Sequence, residues 1–328
     1  MVGKDVGSTS RLPFVPSPFA RSLTAHMCAW RKRHDGSGHP MFANCSDGIP
    51  PAFRDEAASV VVEDGVRLHS HAEAVTSSQM FALNLFIPWR SGSRAALEAR
   101  LASTLGASIV VERVAFEWVP PGALLGELEG DRPRDGEPAT GVDVVLWGRD
   151  KTGARVALLL EVKLGEGEFT PCGGRNSSAN RRTDVCASAA TFFGDPGACY
   201  LRRPWRKTRD RRYWEIFAQS HGSVRAAFPG ADEHGPCPFA GQQQQPMRNL
   251  ALAHALVQEG IVDRSWFGLC PHDDNPDIAR EWAAWRALLP TVGVAPVLAA
   301  SVVIAAGRDA GHLEWAAWMA ERYRISLP

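Results

Sequence analysis

The sequence predicts an α/β fold: a core of helix, three-stranded antiparallel meander, helix and strand, with insertions and an irregular N-terminal extension. Three observations carry this expectation. Two helical runs, 79–86 and 93–105, precede three strand-like runs that follow one another closely between 108 and 164. The second and third strand-like runs are separated only by a short polar turn. After a long polar region, a helical run, a strand-like run and two further helical runs complete the chain.

In order, residues 1–75 read as the extension. Residues 1–55 are rich in Pro, Gly, Ser and Arg without sustained periodicity, with at most one short helix near 28–32. Residues 58–68 and 69–73 carry weak strand signals. Thr76-Ser77-Ser78 offers N-cap side chains for the run QMFALNLF, which is apolar nearly all round and therefore expected to be buried. In 93–105, Leu97, Leu101 and Leu105 recur every four positions, and Gly106 stands where a C-terminal cap belongs. SIVVERVAFEWV (108–119) is β-branched and aromatic and stops at Pro120-Pro121. An acidic loop rich in Gly and Pro (126–138) leads to VDVVLWG (142–148) and RVALLLEVKL (155–164). The turn at 149–153 between them predicts an antiparallel hairpin. A cysteine-bearing insertion covers about 165–240. Residues 245–259 then read as a helix with Pro246 in its first turn and Gly260 after its end, 265–270 as a strand, and 277–289 and 311–324 as helices.

The length of 328 residues fits about two domains or one elaborated domain, and the division expected is 1–75 and 76–328. With 45% hydrophobic and 22% charged residues the chain has material for a packed core, which excludes a disordered or fibrous protein. Thirty-six basic residues balance 36 acidic ones, so no bulk charge draws the chain to nucleic acid or to an anionic membrane. Any such partner must meet a local patch. Seven irregularly spaced cysteines do not make a disulfide scaffold, and with a proline-strewn N-terminus they point to a reducing cytoplasm. Residues 288–307 are apolar but broken by Pro290, Gly293 and Pro296. The part after Pro296 is only half of the roughly 20 residues a membrane span needs, so a buried helix or strand is expected there. No phosphate-binding or dinucleotide-binding glycine motif is present.

The sharpest chemical feature is the hairpin. Strand alternation puts Glu161 and Lys163 on one face, inside apolar runs where ionised side chains are costly unless paired or metal-bound. Asp143, on the neighbouring strand, can lie beside them. Two carboxylates so placed make a hard oxygen site suited to Mg²⁺. A metal there would polarise a phosphoryl oxygen and acidify a bound water, while the lysine orients that water. This is a minimal set for metal-assisted phosphodiester hydrolysis.

Gly141-Val142-Asp143 followed by Glu161-Val162-Lys163 resembles the PD-(D/E)XK, or restriction-endonuclease-like, nuclease superfamily, with Val142 in place of the proline. The resemblance implies that Asp143, Glu161 and the Val162 carbonyl bind Mg²⁺ (or Mn²⁺) and that Lys163 acts on the attacking water. Ser77-Ser78-Gln79 with Asn84-Leu85-Phe86 resembles the first helix of a bacterial subgroup of putative restriction endonucleases, and Phe116-Glu117-Trp118 resembles its first strand. Glu117 would then supply a third carboxylate, or part of a second metal site. Gln245, Arg248 and Asn249, on one helix face by their spacing, resemble the helix that follows the motif and would hold phosphate oxygens or support Lys163. The likeness spans about residues 76–260. It implies DNA as the partner, and a homodimer if both strands are cut.

Outside the hairpin, the basic run containing Arg202, Arg203, Arg206 and Lys207, beside Trp205 and Tyr213, reads as a phosphate-backbone contact or a solvated loop. Acidic residues gather instead at Glu127, Glu129, Asp131, Asp135 and Glu137, so the zero net charge averages opposed segments. Cys172, Cys186, Cys199 and Cys237 have long separations and no C-x-x-C pair. Reduced, partly buried thiols are therefore expected, with a zinc or iron–sulfur site as the alternative. His69 and His71 would share a strand face, more as ordinary histidines than as a metal pair. Residues 271–276 read as a loop with an N-cap, and Trp282, Trp285, Trp315 and Trp318 as core. Two other classes stay open: a DNA-binding protein of the same fold without catalysis, and a zinc-stabilised interaction module.

Overall fold

A computed structural model of the protein describes residues 16–120, 124–129, 132–133, 140–202, 211–290 and 296–327. In chain order it contains α1 (Pro18–His34), α2 (Arg54–Glu63), α3 (Ser78–Phe86), α4 (Pro88–Ser91), α5 (Ala95–Leu105), β1 (Ile109–Trp118), the two-residue strands β2 (Leu128–Glu129) and β3 (Arg132–Pro133), β4 (Val142–Asp150) and β5 (Arg155–Lys163). Then follow α6 (Thr183–Ala187), α7 (Ala189–Gly194), α8 (Tyr213–His221), α9 (Val224–Ala227), α10 (Gln244–Gln258), β6 (Arg264–Pro271), α11 (Pro276–Leu288), α12 (Ala300–Asp309) and α13 (Leu313–Tyr323).

The main sheet has the order β1-β4-β5-β6. β1 pairs β4, and β4 pairs β5, both antiparallel; β6 joins β5 in parallel after the chain has crossed over through α10. The sheet is covered on both sides, which is why β4 and β5 are apolar almost without interruption. Val144, Leu146, Leu158, Leu160 and Val162 pack on one side with residues of α3, α5, α12 and α13. Val145, Ala157, Leu159, Phe267 and Leu269 pack on the other with residues of α8, α10 and α11. The β1/β4 register slips between Val111 and Arg113. There Gly148 lies so close to β1 that a Cβ would stand 2.0 Å from the Val110 carbonyl oxygen.

The elements expected between residues 79 and 164 form with ends shifted by a few residues at most, because their signals are local. The Ser77 hydroxyl accepts the Met80 N–H at 3.2 Å and starts α3, all of which but Ser78 is buried.

The segment expected to be irregular differs most. α1 is a seventeen-residue helix capped by Ser17, with Leu23, Met27 and Trp30 turned inward against α13. Pro18 reads as a breaker in the sequence, yet it occupies a first-turn position, where its missing N–H costs nothing. Residues 58–63, the first part of the run 58–68 expected as a strand, belong to the helix α2. The consecutive valines that suggested a strand point to different sides: Val60 is buried and Val62 is 79% exposed. Residues 69–73 form a turn. Leu23, Met27, Ala57 and Val60 share one core with the sheet.

The apolar stretch after Pro296 forms the buried helix α12, and among the described residues no helix is long and apolar enough to cross a membrane. Of the expected acidic cluster only the Glu127 side chain is described. Asp131, Asp135 and Glu137 lie outside the described residues.

Candidate active site

The sheet register sets three carboxylates in one row. Phe116 stands opposite Val144 and Trp118 opposite Val142, so Glu117 lies beside Asp143. Val144 stands opposite Leu160, and one step further Asp143 meets Glu161. All three residues alternate with side chains of the core beyond and belong to the sheet face that α10 covers. Lys163, two residues after Glu161, shares that face, and its Nζ lies 2.8 Å from Glu161 Oε1. Glu161 is 1% exposed and Lys163 8%.

α10 fixes Glu161 from above. Gln245 Nε2 donates to Glu161 Oε1 at 2.6 Å, and Asn249 Nδ2 donates to Oε2 at 2.9 Å, the two residues being one helical turn apart. Gln245 is itself anchored, since its Oε1 accepts the Thr170 N–H at 2.9 Å. The backbone N–H of Val162 donates to Asp143 Oδ2 at 2.7 Å. Gln79, at the start of α3, accepts from the His69 N–H and donates to the Arg67 carbonyl, and its side chain also reaches Glu117.

The electrostatics follow from burial and crowding. Burial pushes the Glu117 carboxyl up to about 7; the Glu161 charge adds to this, while Gln79 and Lys163 oppose it. Burial, and then the charges of Glu161 and Glu117, hold Asp143 well above the usual carboxylate range. Burial disfavours the Lys163 ammonium, but Glu161, Glu166 and Asp143 together keep it charged above its ordinary range. Glu117 also has a backbone φ of 46°, in the left-handed region that side chains other than glycine and asparagine avoid.

Two further residues tie this neighbourhood together: Ser78, which the sequence offers only as a cap or as part of the first-helix resemblance, and Glu166, which carries no signal there. Ser78 Oγ donates to Glu166 Oε1, and Glu166 Oε2 accepts the Leu164 and Gly165 N–H groups at 3.1 Å each. Glu166 thereby ties the end of β5 to the start of α3. It sits in the polar sequence Gly165-Glu166-Gly167-Glu168, where nothing separates it from an ordinary solvated loop.

Among the described residues no three His, Cys, Asp or Glu side chains already converge to hold a metal ion. Lys163 occupies one oxygen of Glu161, and the Val162 N–H draws Asp143. The donor set is nevertheless the kind a divalent ion takes: the row of Glu117, Asp143 and Glu161 faces Lys163, with Glu166 adding further negative charge nearby. Asp143, Glu161, the Val162 carbonyl and Glu117 could hold such an ion.

Other expected residues fall elsewhere. Arg248 points away from Glu161, with Nη1 3.9 Å from Glu127 Oε1. Glu127 is itself buried, with Thr140 and the Tyr213 hydroxyl donating to it. Arg202 pairs with Glu215 at 3.1 Å, while Arg203, Arg206 and Lys207 lie outside the described residues. His69 and His71 are in the turn before α3 and not on a strand, with the His71 N–H donating to His69 Nδ1. The expected loop 271–276 runs from the last residue of β6 to the first of α11, which Asn275 caps by accepting the Ile278 N–H; Trp282, Trp285 and Trp315 are core residues, and Trp318 is half-buried against the core.

Residues 26–323 match the model of REase-ARP, described as restriction endonuclease associating with ARP. The chain belongs to this family. The matched span begins inside α1 and ends with α13, so the N-terminal helices, the sheet and the cysteine-bearing insertion all fall within the family's own extent. Family membership makes the chain restriction-endonuclease-like and agrees with its mixed α/β architecture. No curated protein and no solved structure matches the chain.

Proposed function

We propose that this protein is a Mg²⁺-dependent, or Mn²⁺-dependent, deoxyribonuclease of the PD-(D/E)XK type, built on a restriction-endonuclease-like core and acting in the cytoplasm. The observation that carries the reading is the cross-strand row Glu117, Asp143 and Glu161 with Lys163 on the same face. The restriction-endonuclease family supports DNA as the substrate. Asp143, Glu161 and the Val162 carbonyl would hold the ion, with Glu117 assisting. When bound, the ion supplies Lewis-acid activation of the phosphoryl group and of a water.

The chain's own groups do the rest. Gln245 and Asn249 lock the Glu161 carboxylate in one orientation, so its oxygens need no reordering when substrate arrives. Lys163, kept charged by its acidic neighbours, orients the attacking water and offsets the negative charge that grows on the phosphoryl oxygens. Arg202, Arg203, Arg206 and Lys207 would meet the phosphate backbone, and a homodimer would bring two sites to two strands.

The test is incubation of the purified protein with supercoiled plasmid and Mg²⁺ beside Asp143→Asn and Lys163→Ala, with circular dichroism to check that each variant folds. Wild type should nick or linearise the plasmid, and each variant should lose about 100-fold or more of that rate. Equal cleavage by all three would remove these residues from the chemistry.

A further inference from the structure

The insertion between β5 and α10 is poor in regular structure and holds four of the seven cysteines, all of which are free thiols. They come from four separate segments: Cys172 from the loop after β5, Cys186 from α6, Cys199 from the turns after α7, and Cys237 from the loop before α10. Backbone contacts draw these segments together. The Cys237 N–H donates to the Cys186 carbonyl at 3.2 Å, and the Cys172 N–H donates to the Gly241 carbonyl at 3.2 Å. Asn180 Nδ2 bridges the Gly174 carbonyl at 3.1 Å and Cys186 Sγ at 3.5 Å. Cys172, Cys199 and Cys237 are buried in one cluster, and Cys172 and Cys186 both act electrostatically on Cys199 and Cys237.

A second feature concerns what the sulfurs are built to accept. The N–H of Arg175 donates to Cys172 Sγ at 3.4 Å, joined there by the N–H of Gly174. Cys199 and Cys237 likewise receive the N–H groups of Leu201 and Phe239, each two residues further on. A thiol is a weak acceptor and a thiolate a strong one, so N–H groups turned onto three sulfurs suit negative charge there. Cys172, Cys199 and Cys237 are nevertheless buried, away from the water that would otherwise solvate a charged sulfur. Buried sulfurs furnished with donors for anions need a cation.

We propose that Cys172, Cys186, Cys199 and Cys237 form a tetrathiolate zinc site that holds the insertion after β5 together. Four thiolates fill a tetrahedral shell and leave no open position, so the site is structural and distinct from the carboxylate row on the sheet. Each thiol releases its proton on binding, and the 2+ charge offsets the repulsion among the four sulfurs. Among the described residues no three such side chains already converge on one point, and zinc binding would draw the four thiols together.

Elemental analysis of the full-length protein, purified without added metal or chelator, tests this. About one zinc per chain is expected, and cobalt substitution should give the intense near-ultraviolet bands of thiolate-to-cobalt charge transfer. Cys186→Ser and Cys199→Ser should each lose the zinc, whereas Cys28→Ser, Cys45→Ser and the sheet variant Asp143→Asn should keep it. Absence of zinc from the wild type, iron with inorganic sulfide in its place, or full zinc retention in both Cys186→Ser and Cys199→Ser would overturn the proposal. Because the readout is metal content in protein that need not cleave DNA, it stands or falls apart from the nuclease reading.

Discussion

Glu117 shows how the candidate site works against the stability of the chain that carries it. Its left-handed backbone costs roughly 1–2 kcal/mol, and its carboxylate is crowded against Asp143 and Glu161. Neither cost has a return in a metal-free fold. Glu117→Gln keeps the shape and the partner for Gln79 while removing one negative charge. In the presence of a chelator the variant should melt about 2 °C above wild type, for a gain on the order of 1 kcal/mol. With Mg²⁺ the order should reverse, and plasmid cleavage should fall at least about tenfold. A variant that melts no higher than wild type in chelator would show that the row is not under charge strain. Asp143, Glu161 and Lys163 were legible in the sequence because charged residues stand out in apolar strands. Glu166 was not, and Ser78 was readable only as a cap or first-helix residue, since their contact comes from the meeting of α3 with the end of β5, which no local pattern encodes.

Among the elements, α10 joins the carboxylate-bearing face of the sheet to the insertion. Its periodicity was readable, but the division of labour along it was not: Gln245 and Asn249 reach Glu161 while Arg248, between them in sequence, turns to Glu127. Further along, His254 packs against α8, its ring nitrogen 3.2 Å from that of His221, and Phe217 sits edge-on beside it. Burial, and then the His221 charge, lower His254 to about 4. The unfolded chain takes up this proton near pH 6.5, whereas the folded protein resists until about pH 4. The stability is therefore complete above pH 6.5 and is lost progressively as the pH falls toward 4, to an extent of about 3 kcal/mol. Urea unfolding across this window should show the decline, and His254→Gln should flatten it. An unchanged pH slope in the variant would place the sensitivity elsewhere.

At the scale of the whole molecule, the sheet divides two cores, and the one away from the carboxylate row depends on residues that the sequence reads as dispensable. α1 buries Leu23, Met27 and Trp30. Arg31 donates to the carbonyls of His39 and Met41, holding the following loop down. On the opposing helix the buried Arg322 donates to the Gly48 carbonyl at 2.5 Å and has its guanidinium 5.6 Å from the Trp30 ring and 4.9 Å from the Phe42 ring. Sequence periodicity could not reveal this, because α1 is strongly basic and begins at a proline, and the signal that makes it a core element lies in α13, some three hundred residues away. Removal of residues 1–34 would strip three large apolar side chains from the core, each contributing roughly 1.5–3 kcal/mol. It would also take Trp30 from the Arg322 charge. That loss approaches the whole of a typical domain stability of about 5–15 kcal/mol. The truncated chain should fail to show a cooperative thermal transition, and the milder Leu23→Ala should remain folded with about 2–4 kcal/mol less stability. A truncated protein that melts cooperatively at the wild-type midpoint would mean that α1 rests on the core without being part of it.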